Sequence, residues 1–263
     1  GNGLAKARQR IKRHADQGIG KHLELGRIGF FQINRRKADA AAEHFVDDLH
    51  NGINIVFLIT AVRFSELLKT ALGGSFAIGS HIASVLGEDV ADMPYQRMVS
   101  PELKNALGEQ CFVTATDGNH GRGVAWAARV FGHKSVVYMP KGSALERLEN
   151  IRAQGAEAEI TDLNYDDAVR LASKMAEEQG WVLIQDTAWE GYEDVPTHIM
   201  QGYTTLAHEI AQELDQPPTH LFLQAGVGSV AGAVAGYFAA LYGEDRPVAV
   251  ICEPDQADCL YRT

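Results

Sequence analysis

The chain has 263 residues, of which 46% are hydrophobic and 22% are charged, as in an ordinary globular protein of one large or two smaller domains. The longest apolar run, near residues 53–59, is much shorter than the roughly 20 residues of a membrane span. The N-terminal residues lack the pattern of a secretory signal. The three cysteines form no C-x-x-C pair, which favours a reducing, cytoplasmic location.

The net charge of −10 is unevenly distributed along the chain. Residues 1–45 hold ten of the 24 Lys and Arg but only four of the 34 Asp and Glu, so this segment carries +6 and the remainder −16. A basic segment can bind nucleic acid or another acidic surface. Because these basic residues have no aromatic platform on which bases could stack, we favour a solvated or poorly ordered arm and predict no nucleic-acid partner. The short apolar runs predict no membrane partner.

The predicted elements are sparse before residue 63 and regular after residue 110. Short helices are predicted at residues 6–14 and 38–49, a strand at 53–60, helices at 64–72 and 75–86 separated by a glycine pair, and a connection at 87–101. Strands at residues 111–113, 135–139, 157–161, 181–185, 219–224 and 248–252 then alternate with helices at 124–131, 143–154, 166–179, 197–214 and 230–242. Ser143 and Glu146 have capping-box spacing. The alternation predicts an α/β fold with a mostly parallel sheet covered on both faces.

Polar groups are concentrated in the loops that follow three of these strands. Residues 114–123 form a glycine-rich turn with Asp117, Asn119 and His120, residues 186–192 begin at Asp186, and residues 224–232 are rich in glycine. Since the carboxyl ends of parallel strands lie at one edge of a sheet, we expect the three loops to face one ligand site. On residue type alone, Asp117 could instead close an Asx turn and Asp186 could cap a turn.

The third loop contains Gly226, Val227, Gly228 and Ser229 and precedes a predicted helix. Glycines let backbone N–H groups approach an anion, and the helix N-terminus attracts negative charge, so this loop is typical of a phosphate site. A dinucleotide turn is the alternative, with Glu253 about 20 residues on as the ribose partner. Glycines that serve only close helix–strand packing are a further alternative.

Seven segments, in this order and spacing, resemble diaminopropionate ammonia-lyase. They are TDGNHGRGVAWAA (116–128), YMPKGSALER (138–147), NYDD (164–167), QDTAWEGY (185–192), PTHIMQGY (196–203), QAGVG (224–228) and EPDQADCLYR (253–262). This family consists of homodimeric pyridoxal-phosphate enzymes of the fold type shared with tryptophan synthase β and the threonine dehydratases, known as fold type II. The resemblance covers residues 63–263.

The resemblance implies a three-layer, doubly wound α/β fold with mostly parallel sheets, incomplete at its C-terminal end. Residues 63–110 and 195–263 would form the larger cofactor-binding domain and residues 111–194 a smaller α/β domain, after an unmatched basic segment at residues 1–62. The implied reaction is α,β-elimination of the small amino acid 2,3-diaminopropionate to pyruvate and ammonia. The cofactor would be pyridoxal 5′-phosphate, and the assembly a homodimer.

The resemblance also implies roles for individual residues. Asn119 matches the residue that hydrogen-bonds the phenolic oxygen of the cofactor, and the residues from Gly226 to Ser229, already named, match the phosphate loop. Asp117 and Asp186 match two carboxylates that act as bases for opposite enantiomers of the substrate. His120 and Tyr165 fall beside the site without an implied role.

The match breaks at the lysine that holds the cofactor as a Schiff base. The family position, three residues before the glycine pair, is Thr70 here, and Lys69 lies one residue earlier, a rotation of about 100° on a helix. Local unwinding or a different helix start would restore the alignment of Lys69. The resemblance also stops with the chain at Thr263, and it starts abruptly near residue 63. We therefore expect a partial chain whose N-terminal portion is out of register with the ancestral reading frame.

Two alternatives to a diaminopropionate ammonia-lyase stay open. One is another pyridoxal-phosphate dehydratase, of the serine or threonine type, and the other is a catalytically inactive fragment of the family. Metal binding is not expected, because the ten histidines are scattered and His208–Glu209 has no second histidine at position 212.

Overall fold

The computed structural model describes the backbone of residues 28–30, 55–57 and 66–262 and the side chains of residues 71–262. The helices predicted at 6–14 and 38–49 lie outside the described residues. In the described part no helix is long and apolar enough to cross a membrane.

The described elements alternate between strands and helices along most of the chain. The strands are β1 Ile28–Phe30, β2 Ile55–Phe57, β3 Cys111–Ala115, β4 Lys134–Met139, β5 Glu157–Ile160, β6 Val182–Leu183, β7 His220–Gln224 and β8 Val248–Cys252. The helices are α1 Glu66–Leu86, α2 Tyr95–Met98, α3 Pro101–Leu107, α4 Asn119–Val130, α5 Leu145–Arg152, α6 Tyr165–Gln179, α7 Asp194–Glu213, α8 Ser229–Tyr242 and α9 Cys259–Arg262. Short 3₁₀ turns cover Val90–Asp92 and Gly243–Asp245.

The strands form two separate four-stranded sheets, ordered β1-β8-β7-β2 and β5-β4-β3-β6, and every pairing is parallel. The backbone divides into two compact units, residues 63–202 and residues 1–62 with 203–263, and each sheet belongs to one of them. The prediction of an α/β fold with parallel sheets is confirmed. The domain boundaries that the resemblance implies stay a prediction.

The sheet of residues 63–202 is covered on both faces, which gives this unit three layers. Alternate residues of β3 and β4, among them Val113 and Tyr138, pack against the alanines of α6. The intervening residues of β4, Val137 and Met139, pack instead against α4 and α5. Successive side chains of a strand point to opposite faces, so strands that are apolar throughout need a helix on each side.

The unit of residues 203–262 has its own core between β7, β8, α7 and α8. Leu221, Leu223 and Phe238 are almost completely buried there. Helix α8 is rich in alanine and glycine, and its small side chains let it lie close to the sheet. The loop between β7 and α8 is therefore attached to two well-packed elements.

Three local predictions are wrong. Residues 66–86 form one continuous helix in spite of the glycine pair, because the second glycine, Gly74, lies where α1 packs closely on α4: a Cβ there would be 3.2 Å from Val124 N. The predicted connection at 87–101 contains helical turns, and its last residue, Pro101, is already the first residue of α3. The capping box is absent because the Ser143 N–H closes a turn to Pro140 O at 3.2 Å, and the helix begins only after Ala144.

Candidate active site

The first loop joins β3 to α4 and is held in place by backbone bonds to the neighbouring strand. Residues 112–116 are all buried, and the Thr116 N–H donates to Tyr138 O on β4 at 3.0 Å. The Thr116 hydroxyl accepts the Gly118 N–H at 3.1 Å. The side chain that closes the turn is therefore that of Thr116, and the carboxylate of Asp117 does not take part in closing it.

Asp117 is the exposed carboxylate of the site. Its side chain is 71% exposed, and its Oδ2 lies 3.3 Å from Nη1 of Arg147. The same guanidinium nitrogen donates to the Asp117 backbone carbonyl at 3.1 Å. Arg147 belongs to α5, so this helix fixes the position of the turn by two contacts to one residue. The neighbouring Asn119 is the first, exposed residue of α4.

Asp186 is the sheltered carboxylate of the same unit, with a side chain that is only 17% exposed. Its Oδ1 accepts a hydrogen bond of 3.1 Å from Nε2 of Gln185. Its Oδ2 lies 4.0 Å from Nδ1 of His120, whose side chain is buried. The two predicted carboxylates thus occupy different environments, one open to water and one enclosed by polar side chains.

His120 is held in one tautomer by its other ring nitrogen. Nε2 lies 2.8 Å from the backbone carbonyl of Ile184, and because a carbonyl can only accept, Nε2 must carry the hydrogen. Nδ1 is buried and has no hydrogen-bond partner within the described residues. In a neutral ring Nδ1 therefore presents its lone pair toward the carboxylate of Asp186 and can receive a proton there.

Gln185 joins the two strand ends through four hydrogen bonds. Its side chain is fully buried. Its Oε1 accepts from the Thr114 hydroxyl at 3.1 Å and the Ala115 N–H at 3.0 Å. Its Nε2 donates to Asp186 and to the Tyr165 hydroxyl, the latter at 3.2 Å. The register of β3 with β6 makes this possible, since Val113 pairs with Leu183 and so places residues 114–116 beside residues 184–186.

Two tyrosines hydrogen-bond to Gln185, the residue before Asp186. Burial, and then the nearby charge of Asp186, raises the pKa of Tyr165, so that its hydroxyl stays protonated at neutral pH. Burial also raises the pKa of Tyr192. The Tyr192 hydroxyl donates to Leu183 O and accepts the Gln185 N–H, each at 2.9 Å. This tyrosine closes the loop back onto its own strand.

The third predicted loop lies in the other unit, after β7 of the other sheet. The expectation that all three loops share one sheet edge is therefore wrong, and it holds only for the loops after β3 and β6. The reason is that a parallel pattern of strands along the chain does not reveal where one sheet ends and a second begins.

The geometry of the third loop fits a phosphate group. Gly228 precedes the 14-residue helix α8 as its N-cap, with φ at +95° and no side-chain capping bond. A Cβ at Gly226 would meet no atom within 4 Å, so the backbone is open to an approaching ligand. The N–H groups at the start of this helix have no side-chain cap, and the glycine beside them leaves room for a ligand. Such N–H groups are the donors that phosphate oxygens require.

The structure does not favour Glu253 as the ribose partner of a dinucleotide. Its side chain is buried, and its two oxygens accept the backbone N–H groups of Leu260 and Tyr261. Because both carboxylate oxygens already accept hydrogen bonds inside the protein, they are not placed to bind a ribose hydroxyl.

Lys69 and Thr70 both lie in α1. The two positions are consecutive in one helix, so the backbone there is not unwound. Nothing in the described residues forms a cluster of three or more metal-ligating side chains.

A family profile described as "Pyridoxal-phosphate dependent enzyme" matches residues 90–263, about two thirds of the chain. The chain belongs to this pyridoxal-phosphate-dependent enzyme family. The match includes all three loops, and the fold type predicted from the resemblance is confirmed. The predicted cofactor, pyridoxal phosphate, is confirmed at the level of the family.

Individual members of the family agree with the predicted resemblance. The diaminopropionate ammonia-lyase of Salmonella typhimurium is 58% identical over 205 residues, which are 76% of this chain and 51% of the relative. That of Escherichia coli K12 is 46% identical over 225 residues, 83% of this chain and 55% of the relative. The chain spans about half the length of these curated relatives.

Solved structures of the family have the same fold. A crystal structure of holo diaminopropionate ammonia lyase from Escherichia coli superposes with a TM-score of 0.72 and 40% identity, covering 100% of this chain and 62% of that chain. A structure of the same enzyme in complex with D-serine gives the same values.

Among the sequence relatives, a biosynthetic L-threonine dehydratase of Salmonella typhimurium is more distant, at 32% identity over 148 residues.

The structure brings several predicted residues together and adds others. Asp186, His120 and Tyr165 form one cluster, and Asp117 lies at the end of the adjacent strand. Gln185 was not predicted as a site residue, although a lone polar residue at the end of an apolar strand is a usable signal. Arg147 was not predicted as a site residue either, because nothing in its own sequence neighbourhood indicates a partner 30 residues earlier. The roles of the site residues stay predictions.

Proposed function

We propose that the chain carries the elimination chemistry of a diaminopropionate ammonia-lyase, which converts 2,3-diaminopropionate to pyruvate and ammonia. The observation that supports this most directly is the pair of carboxylates at neighbouring strand ends, Asp117 in the open and Asp186 enclosed. Two bases in different environments suit an enzyme that removes the α-proton from either enantiomer of its substrate.

We propose that the cofactor is held by backbone and side-chain groups already described. The N–H groups around Gly226, Val227, Gly228 and Ser229 would bind its phosphate, and Asn119 its phenolic oxygen. When bound, the pyridine ring withdraws electrons from Cα and so lowers the barrier to loss of the α-proton. The chain's remaining contribution is proton transfer and orientation.

Asp186 would accept the α-proton of one enantiomer at Oδ2. His120 Nδ1 faces that oxygen, and the opposite nitrogen of the ring already donates to Ile184 O. The ring can therefore receive the proton at Nδ1 without rotation. The Gln185 amide fixes the other carboxylate oxygen at 3.1 Å, which orients the pair. Asp117 would accept the α-proton of the other enantiomer, oriented by Arg147.

The test compares Asp117→Asn and Asp186→Asn on each enantiomer of 2,3-diaminopropionate, with pyruvate release as the readout. We expect each variant to lose about 10²- to 10⁴-fold in kcat on one enantiomer and little on the other. Asp162→Asn, at an exposed position near the site in sequence, is the matched control. Equal losses on both enantiomers in both variants would contradict the division of roles.

The same assay separates the alternative functions. A serine- or threonine-type dehydratase would turn over serine or threonine faster than diaminopropionate, an alternative that the 32% identity to a threonine dehydratase keeps relevant. An inactive fragment would turn over none of them.

The lysine is tested by borohydride reduction of the chain with pyridoxal phosphate, followed by peptide mapping. A stable adduct on Lys69 supports that lysine as the cofactor attachment, and Thr70→Lys tests the position that the family pattern favours. We expect the Thr70→Lys variant to trap more cofactor than the wild type. No adduct in either protein would support the inactive alternative.

We also propose a homodimer in a reducing, cytoplasmic setting. The homodimer rests on the resemblance alone, and sedimentation analysis tests it. The cytoplasmic setting rests on the cysteines, and Cys111, Cys252 and Cys259 are all free thiols in the structure. Their redox state in extracts prepared with a thiol-trapping reagent tests it.

A further inference from the structure

A buried carboxylate follows directly after β8 and has no role in the proposed proton transfers. Glu253 is 7% exposed, and no Lys or Arg of the described residues forms an ion pair with it. Its Oε1 accepts the Leu260 N–H at 2.9 Å and its Oε2 accepts the Tyr261 N–H at 3.0 Å. The Cys259 thiol lies 3.6 Å from Oε1. Burial of a charge is costly unless hydrogen bonds compensate it, so these contacts hold α9 firmly to the end of β8.

Helix α9 in turn contacts the glycine loop at two points. The Cys259 thiol donates a hydrogen bond to the carbonyl of Gly226. The side chain of Leu260 packs against Gly228, and a Cβ built on that glycine would lie 3.1 Å from Leu260 Cδ2. Gly228 has a positive φ, which is one of several conformations that glycine adopts readily, so the packing of Leu260 helps to select this one.

The thiol can serve as a donor at neutral pH. Burial, followed by the nearby carboxylate of Glu253, raises the pKa of Cys259 above its ordinary value. The sulfur therefore keeps its hydrogen, which the Gly226 carbonyl can accept. Deprotonation would put a negative charge beside the carboxylate and the carbonyl, and would weaken the contact with the loop.

We propose that Glu253 is a positioning residue that, through α9, holds Gly226 and Gly228 in the shape that binds an anionic phosphate. This inference rests on the proposed function, in which that loop binds the phosphate of the cofactor. Glu253 itself does not touch the ligand. It fixes Leu260 and Cys259, and these two residues contact the loop at Gly228 and Gly226.

The first measurement is peptide-level hydrogen exchange over residues 224–232 in the chain without ligand. Glu253→Gln replaces one accepting oxygen with an NH2 group, so one buried backbone N–H faces a donor. We expect exchange in this segment to become about tenfold faster or more, since hydrogen bonds to a charged group are individually strong. Asp255→Asn makes the same charge change two residues away at an exposed position and should leave the exchange unchanged.

The second measurement is binding of pyridoxal 5′-phosphate and of pyridoxal, which lacks the phosphate. We expect Glu253→Gln to weaken binding of the phosphorylated form about tenfold or more and to leave pyridoxal unaffected. Leu260→Ala keeps the carboxylate but removes the packing on Gly228, and it should give the same pattern even if the Glu253 variant folds poorly. Unchanged exchange and affinity in both variants, or an equal loss for both ligands, would overturn the inference.

The two proposals fail in different ways. If the wild-type chain binds pyridoxal phosphate no better than pyridoxal, the phosphate role of the loop is wrong. The exchange comparison still decides whether Glu253 holds the loop, because it needs no ligand.

Discussion

Replacement of Gln185 with methionine is expected to destabilise the unit of residues 63–202 strongly. Methionine has a similar length but cannot accept or donate the four hydrogen bonds of the buried amide. The Ala115 N–H and the Thr114 hydroxyl then lose their acceptor in a site closed to water. An unsatisfied buried group costs about 1–3 kcal/mol, so two of them predict a loss of about 2–6 kcal/mol in the free energy of unfolding.

The assay is urea unfolding followed by tryptophan fluorescence. The three tryptophans of the chain, Trp126, Trp181 and Trp189, all lie within residues 63–202. Their emission therefore reports on the unit that contains the substitution. The shift of the midpoint, multiplied by the m-value, gives the change in free energy.

Gln154 supplies a matched control. It is also a buried glutamine, but among the described side chains its Oε1 accepts a hydrogen bond only from the exposed Arg129, at 3.0 Å. The Gln154→Met variant leaves a guanidinium that water can solvate, and we expect it to cost about 1 kcal/mol or less. If Gln185→Met cost no more than Gln154→Met, the reasoning that Gln185 satisfies buried backbone and hydroxyl groups would be refuted.

Three further predictions concern the same unit. Gly121→Ala should cost about 1–3 kcal/mol in urea unfolding, because the added Cβ would lie 2.3 Å from Thr116 Cγ2; a stabilised variant would contradict this. Arg147→Ala should change the free energy of unfolding by less than about 1 kcal/mol, because its ion pair with Asp117 is exposed. The variant should nevertheless lower kcat on the enantiomer that depends on Asp117. Unchanged turnover of both enantiomers would refute an orienting role for Arg147. Burial raises the pKa of Cys111 to about 11, so alkylation of this thiol at pH 8 should be slow in the folded chain and fast in urea, and equal rates would contradict its burial.

The sequence predicted the alternating core well because the core strands are short apolar runs between clear turn residues. Six of the eight strands are found where the pattern of residues 111–252 placed them, and β2 lies inside the strand predicted at 53–60. The short strand β1 was missed, since three residues, of which one is glycine, carry no usable periodicity. A strand that is defined by pairing with β8 is recognisable only once its partner is known.

The glycine pair shows why local propensity misled the helix prediction. Glycine lowers helix propensity by about 1 kcal/mol relative to alanine, and two in sequence favour a break. In the structure, α1 lies so close to its neighbours that side chains would not fit. A Cβ on Gly202 of α7 would be 2.4 Å from the carbonyl of Leu72. Packing between helices therefore outweighs propensity, and a single sequence does not show which helices will meet.

In the candidate site, too, the positions of the loops follow from the local sequence, whereas the contacts between them depend on how the strands pair. The residues of the first two loops were predicted from their positions after β3 and β6, since both belong to sequential strand–loop patterns. The contacts of these residues were not predicted, because Gln185 reaches Thr114 as a result of the strand register that pairs Val113 with Leu183.

This dependence on register explains why the two carboxylates differ. Asp117 lies beyond a turn that Thr116 has already closed, so its side chain projects into solvent and forms an exposed ion pair with Arg147. Asp186 follows a buried glutamine and faces a buried histidine across the neighbouring strand end. A one-residue slip between β3 and β6 would move the alternate side chains to the other face of the sheet and separate Gln185 from its acceptors and donors. The chemistry proposed for Asp186 therefore depends on the pairing of two strands more than on its own sequence neighbours.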